Sequence, residues 1–317
     1  MSFNIIGTGG YVPEKIITND DLSQMVETND EWITQRVGIK TRHVCTDETT
    51  GYLAVQAAKR AIEAANIEPG TLDLIIASTI SGDSICPTVG GIVQMETGAT
   101  CPAFDLNSAC SGFLFALETA AAYFETGRYK RILVVGAEKI SRMVDYTDRN
   151  TCVIFGDGAG AAVLEKGDGY IASKLKTIGG DSVISIPSSE SLSPFNTMKT
   201  GGEYIRMKGQ ETFKFAVNAM TDDIKDLLNE NNLDIKDIAY IVPHQANIRI
   251  IRFAAKNLGI DEDRVVCNIE KYGNTSSASV ALALDELVRS GKLKKGDLIV
   301  MAAFGGGLSS GACIVKW

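Results

Sequence analysis

Histidine is scarce in this chain. Two of 317 residues, His43 and His244, are the only places where chemistry that needs an imidazole could reside. Cysteine is present but lacks pattern: the seven, at positions 45, 86, 101, 110, 152, 267 and 313, form an odd set without a CxxC pair. That spacing suggests neither a disulfide framework nor a zinc ribbon, and nothing else points to a metal or redox cofactor. No apolar run is long enough to span a bilayer. The opening MSFNIIGTGGYVPEK has neither a basic n-region nor an apolar h-region, so a cytoplasmic protein with reduced thiols and no membrane association is expected. Positive charge is also short, 31 Lys+Arg against 39 Asp+Glu for a net −8. This balance speaks against general nucleic-acid binding, although a local basic patch could still recruit an acidic partner.

What the chain does have is enough apolar residue, 45%, to bury a large core in one large or two medium domains. Short β-branched runs alternate with Ala-rich helical patterns, the signature of a layered α/β architecture. A repeat sharpens this. Asp73, opening DLIIAST, lies 37 residues before Cys110, and Asp237, opening DIAYIVPH, lies 37 residues before Asn274. Cys110 is 17 residues from the helix-ending Gly127, and Asn274 is 17 from Gly291. Helical runs precede both aspartates, AVQAAKRAIEAANI in one case and AVNAMTDDIKDLLNEN in the other. Two similar halves are expected, Met1 to Gly169 and Tyr170 to Trp317, stacked as a pseudo-symmetric pair. The segment from Gly180 to Gly209, rich in Ser, Pro, Gly and Met, reads as a loop excursion.

Two motifs mislead. GDGAGA at Gly156 to Ala161 fits a dinucleotide fingerprint, but a short strand follows where a helix is required. GLSSG, Gly307 to Gly311, fits a nucleophile elbow but leaves six residues, too few for its helix. The stretch from Phe104 to Gly136 carries more. It places Cys110 at the head of an Ala/Leu/Phe-rich helix, where N–H groups and the macrodipole favour thiolate; equally, many such cysteines are inert small hydrophobes. His244 ends a strand-like run ahead of a helix from Ala246 to Leu258, and Asn274 heads a helix from Ser276 to Ser290. Each has a structural alternative, a satisfied core histidine and a helix cap, but the matched placement of Cys110 and Asn274 in the repeat favours convergence. FGGGLSSG, Phe304 to Gly311, is either a flexible turn or an oxyanion site that needs close backbone approach.

At these residues the sequence resembles the thiolase-fold condensing enzymes of the β-ketoacyl-acyl-carrier-protein synthase III family. The likeness runs through GTGGYVPEKIITN, DEWITQRVGIKTRH, the Cys110 motif, IFGDGAGAAVLE, VPHQANIRI, KYGNTSSAS and AFGGGLSSGA. It implies a five-layered αβαβα fold, a catalytic set of Cys110, His244 and Asn274, and an oxyanion hole from the N–H groups of Cys110 and Gly306. It also implies a coenzyme A arm bound by Trp32, Arg36, Arg149, Gly209, Phe213 and Asn247. Acyl-CoA would be a substrate, not a cofactor. An acidic acyl carrier protein would dock on Lys214, Gln245, Ala246, Asn247, Ile248, Arg249, Arg252 and Lys256, of which Arg249, Arg252 and Lys256 share one helix face. A homodimer is implied as well. Rival readings are another thiolase-fold synthase, of polyketide-starter or 3-hydroxy-3-methylglutaryl-CoA type, a papain-like cysteine hydrolase, whose CGSCW-type signature is missing, and a non-catalytic carrier-binding scaffold.

The chain departs from the family at Cys86, before Pro87, where members often carry a bulky residue that closes the acyl pocket of the neighbouring subunit. A roomier primer pocket is expected. Propionyl- and butyryl-CoA should therefore prime the protein measurably better than they prime a Cys86→Phe variant; equal rejection by both in a primer-competition assay contradicts the expectation.

Overall fold

Alternation along the longest strands decides how many layers the protein has. The computed structural model describes residues 2–187 and 204–317. In the strand Arg131–Glu138, Ile132 and Val134 join one apolar cluster, while Leu133 and Val135 join another on the opposite face. Leu298–Gly305 repeats the pattern: Ile299, Met301 and Ala303 share the first cluster, and Val300, Ala302 and Phe304 face a third. A strand buried on both faces needs a covering layer on each side. The shared cluster is the middle layer, formed by the helices Gly112–Glu125 and Ala278–Arg289.

The outer layers follow from amphipathic helices. Thr50–Ala65 buries Leu53, Ala54, Ala57, Ala58 and Ala61 against the first sheet, its start capped by the Thr49 side chain. Gly209–Glu230 and Ile248–Leu258 cover the second sheet through Ala216, Met220, Ile224, Ile251 and Ala254. The result is the α/β/α/β/α arrangement of two pseudo-symmetric halves that the resemblance implies.

Both sheets use one topology. In the first, Ser2–Tyr11 pairs antiparallel with Gly158–Gly167, which pairs antiparallel with Arg131–Glu138; Leu74–Ser78 and then Ala103–Leu106 continue in parallel. In the second, Tyr170–Thr177, Ser309–Lys316, Leu298–Gly305 and Ile238–Pro243 stand in the matching order and senses. The fifth position is reduced to a single parallel bridge between Ile241 and Val265.

Several boundaries differ from the sequence expectation. The helix expected from Ala246 begins at Ile248, because the Asn247 side chain accepts from the Arg249 N–H and so caps it. The helix expected from Ser276 begins at Ala278, since Ser276 takes a left-handed φ of 51° that a helix cannot contain. Within the expected loop excursion, Ile184–Ser185 pairs with Arg206–Met207; residues 188–203 lie outside the described residues. Both rejected motifs run into strands, Gly158–Gly167 and Ser309–Lys316.

The middle helices approach the first sheet closely enough to require glycine. A Cβ on Gly160 would stand 2.5 Å from Ala281 Cβ and 2.7 Å from its carbonyl carbon. Gly160→Ala should therefore cost about 1–3 kcal/mol in urea unfolding through forced repacking. Gly70→Ala, with nothing within 4 Å, should stay within about 0.5 kcal/mol of the parent.

Candidate active site

Cys110 lies in the 3-10 turn Ala109–Ser111 that leads into the middle helix Gly112–Glu125. Ala109, just before it, has a left-handed φ of 46°, a conformation that costs a non-glycine residue energy and turns the chain sharply out of its strand. The glycine loop of the second half presses on this turn. A Cβ on Gly305 would fall 2.7 Å from the Cys110 backbone nitrogen, so only glycine allows the two backbones to meet there. The next residue, Gly306, lines the same space, and its N–H, the N–H of Cys110 itself and the Ser276 hydroxyl all favour the thiolate form of the Cys110 sulfur.

The equal spacings of the repeat align Cys110 with Asn274. The backbone aligns it with Ser277 instead, because the left-handed residue comes immediately before Cys110 but two residues after Asn274. The middle helix of the second half starts later, and the residues freed by this form a separate turn that carries Asn274. That turn is anchored: Asn274 N–H donates to the Ile154 carbonyl at 2.9 Å, and its own carbonyl accepts from Gly156 N–H at 3.0 Å. Its side-chain Oδ1 accepts the Ser276 N–H at 2.8 Å, which leaves Nδ2 as the donating end.

His244 directly follows the strand Ile238–Pro243 and is 1% exposed. Its N–H bonds to the Ala302 carbonyl at 2.7 Å, Phe304 packs edge-on against the ring at 5.2 Å, and Nδ1 lies 2.5 Å from Ser279 Oγ. Burial pulls its pKa down to about 3, so the imidazole is neutral at physiological pH. Cys110 also departs from its sequence expectation. Burial pushes the thiol up to about 11, aided by the nearby Glu138 carboxyl, and outweighs the lowering from the Ser276 hydroxyl and the N–H groups of Cys110 and Gly306. The resting group is the thiol, not the helix-stabilised thiolate.

Glu138 itself was not singled out from the sequence. It is fully buried, accepting from Ser81 Oγ at 2.6 Å and Ser277 Oγ at 2.7 Å, with Ser276 Oγ at 3.2 Å. Burial raises its pKa, opposed by those hydroxyls. The signal was available: Glu138 has the parity of Ile132 and Val134, which face the middle layer.

One cavity of about 2320 Å³ collects Cys110, His244, Asn274, Ser276 and Gly306. Its wall also includes Trp32, Arg36, Gly209, Phe213, Ala246, Asn247 and Arg249. Arg149 sits outside that wall but close, its guanidinium 5.0 Å from the Trp32 ring centre, with Arg36 at 6.0 Å. Arg249 lies over the Phe213 ring at 5.3 Å. Lys214, Arg252 and Lys256 are exposed and Ile248 is half-buried; none of the four lines the cavity. Gln245 is 1% exposed, and its amide binds the Pro243 and Val266 carbonyls and the N–H groups of Asn268 and Ile269, so its side chain holds together the loop that presents Ala246 and Asn247. Cys86 is exposed and does not line this cavity, although its neighbour Ile85 does. Among the described residues no cluster of three or more His, Cys, Asp or Glu could hold a metal, and no helix is long and apolar enough to cross a membrane.

A thiol of this kind has a defined pH signature. Below its pKa the thiolate fraction rises tenfold per pH unit, so alkylation of Cys110 by iodoacetamide should climb about tenfold per unit from pH 7 to 9 with no plateau below about pH 10. A plateau near pH 7 means that burial does not dominate.

Sequence models of 3-oxoacyl-[acyl-carrier-protein (ACP)] synthase III match residues 104–179, and of its C terminal residues 228–317. The beta-ketoacyl-[acyl-carrier-protein] synthase III of Clostridium acetobutylicum is 50% identical, over 100% of this chain and 99% of that protein. The crystal structure of 3-oxoacyl-[acyl-carrier-protein] synthase III from Aquifex aeolicus superposes with a TM-score of 0.92 at 42% identity, over 99% of this chain and 100% of that one. The priming beta-ketosynthase of the R1128 polyketide biosynthetic pathway gives a TM-score of 0.92 at 35% identity, over 99% of this chain and 96% of that one. With relatives this similar over its whole length, the chain belongs to the 3-oxoacyl-[acyl-carrier-protein] synthase III family.

Proposed function

We propose that the protein joins a short acyl group, such as acetyl, from acyl-CoA to malonyl-acyl carrier protein, giving a 3-oxoacyl-acyl carrier protein and CO₂. The observation that carries this reading is the convergence of Cys110, His244, Asn274 and the Gly306 N–H on one cavity. Such a set suits an acyl-thioester intermediate followed by a carbanion, because it contains one nucleophile and several hydrogen-bond donors but no strong base.

In the first half-reaction the Cys110 sulfur attacks the acyl-CoA carbonyl, and its proton ends on the departing coenzyme A thiol. The N–H groups of Cys110 and Gly306 hold the oxyanion of the tetrahedral intermediate, where losing one donor typically costs about 3–4 kcal/mol of barrier. In the second, the malonyl carboxylate leaves as CO₂, and the electron pair left on carbon attacks the acyl-cysteine. His244 and Asn274 donate to the malonyl thioester oxygen as negative charge builds on it. One proton is taken up as Cys110 returns to the thiol. A neutral imidazole suits this task because it donates without competing for the proton.

The long arm of coenzyme A is assigned to Trp32, Arg36 and Arg149 with Gly209, Phe213 and Asn247, and the carrier protein to Lys214, Arg252, Lys256 and the segment Gln245, Ala246, Asn247, Ile248 and Arg249. We place the division between halves at Gly169 and Tyr170, between the strands ending at Gly167 and starting at Tyr170. A cytoplasmic homodimer with Cys86 bordering the partner's acyl pocket completes the proposal. The likeness to a polyketide priming ketosynthase supports a second reading, the same chemistry delivered to another carrier.

Mass spectrometry after adding acetyl-CoA should show an acetyl adduct on Cys110 that clears as acetoacetyl-carrier protein forms from malonyl-carrier protein. Release of free acetate would indicate a hydrolase, and no adduct a scaffold. His244→Ala and Asn274→Ala should keep self-acylation and lose decarboxylation; a variant that decarboxylates at the parent rate removes that residue from its role.

A further inference from the structure

Ser279 stands in the first turn of the middle helix Ala278–Arg289, 2% exposed. Its hydroxyl oxygen has two polar neighbours among the described residues, His244 Nδ1 at 2.5 Å and the Gln245 N–H at 3.2 Å. The Gln245 amide can only donate. If Nδ1 also donated, the serine oxygen would accept twice and its own hydrogen would be buried facing two donors, with no acceptor to receive it. If the serine donates to Nδ1, all three groups are satisfied. We infer that Ser279 is a positioning residue that fixes the tautomer of His244, its hydroxyl donating to Nδ1 so that the ring proton resides on Nε2.

The inference rests on the proposed function for its consequence. A decarboxylating site needs an imidazole that gives a hydrogen bond, and the other tautomer would turn a lone pair toward the developing charge. The Gln245 amide helps by filling the second position on Ser279 Oγ, and Gln245 is itself locked through its side chain to Asn268 and Ile269. Phe304 holds the face of the ring. The tautomer is thus set by packed, buried groups that substrate binding need not rearrange.

The other histidine is an internal contrast. His43 Nδ1 lies 2.5 Å from the Pro13 carbonyl oxygen, which can only accept, so that ring carries its proton on Nδ1. Long-range proton–nitrogen correlation spectra of the ¹⁵N-histidine-labelled, full-length resting protein should therefore show opposite Nδ1 assignments for the two rings, a bare nitrogen in His244 and a protonated one in His43. Ser279→Ala should lower the ratio of malonyl-thioester decarboxylation to self-acylation by about tenfold or more, and Ser279→Thr, which keeps the hydroxyl, should recover most of it. A protonated Nδ1 in His244 of the parent, or an unchanged ratio in Ser279→Ala, overturns the inference. The spectrum needs no substrate, so a parent protein that makes no 3-oxoacyl product would defeat the proposed function while the tautomer assignment is decided separately.

Discussion

Two helices that are apolar on nearly every side must be covered from above and below at once, and the rest of the architecture follows from that. Gly112–Glu125 reads GFLFALETAAAYFE, and one sheet could hide only one of its faces. The second copy of the unit supplies the other cover, and its own helix, Ala278–Arg289, takes the same middle layer. The close approach of Gly160 to Ala281 shows how little slack the layer has. With matching topology in both sheets, the starts of both helices and the end of the strand Ile238–Pro243 come to one cavity. The site is where it is because the core could not be buried otherwise.

That origin sets the electrostatics. Groups brought together in the middle layer lie deep in the fold, His244 and Glu138 buried and Cys110 half-buried at the cavity wall, and burial is the first cause of the shift in each: the His244 imidazole is pulled down and the Cys110 and Glu138 protons are held more tightly. The His244 imidazole is thereby kept neutral at physiological pH, and the donors offered to the substrate are oriented N–H and O–H dipoles. Such dipoles are fixed before the reaction and cost no reorganisation when charge develops. Stability shares the cost. The folded imidazole titrates near 3 and the unfolded one near 6.5, so between those values the unfolded chain binds a proton that the folded chain refuses, and acid weakens the fold.

Much of this was legible because it is periodic. The 37- and 17-residue intervals found the two halves, and alternation in the strands found their buried faces. Local spacing failed where the halves diverge. Asn274 is not the backbone counterpart of Cys110, because Ser276 takes a left-handed conformation that no spacing announces. Gln245 reads as surface next to exposed neighbours, yet tertiary contacts with Asn268 and Ile269 draw it inward. The state of the Cys110 thiol could not be decided from spacing for a similar reason, since a helix start lowers a thiol pKa only where the sulfur is accessible. A helix start is visible in sequence, whereas the depth at which it is buried is a property of the whole fold.

The surface obeys a different logic from the core. An acidic chain, net −8, would repel an acidic carrier if its charge were evenly spread. It is not. On the second half, Lys174 and Lys176 are already committed to Asp223, Asp226 and Glu230. Arg252 has a loose exposed contact with Glu262 at 3.7 Å, of the kind that contributes about 0–1 kcal/mol. Arg249, at the cavity wall, rests on the Phe213 ring. The helix Ile248–Leu258 thus keeps weakly engaged cations beside the cavity while acidic residues elsewhere dominate the total. Over a Debye length of about 8 Å at physiological salt, an acidic partner at this face would feel these cations, and Glu262 beside Arg252, more strongly than the acids farther away. Net charge and partner charge can therefore share a sign without conflict.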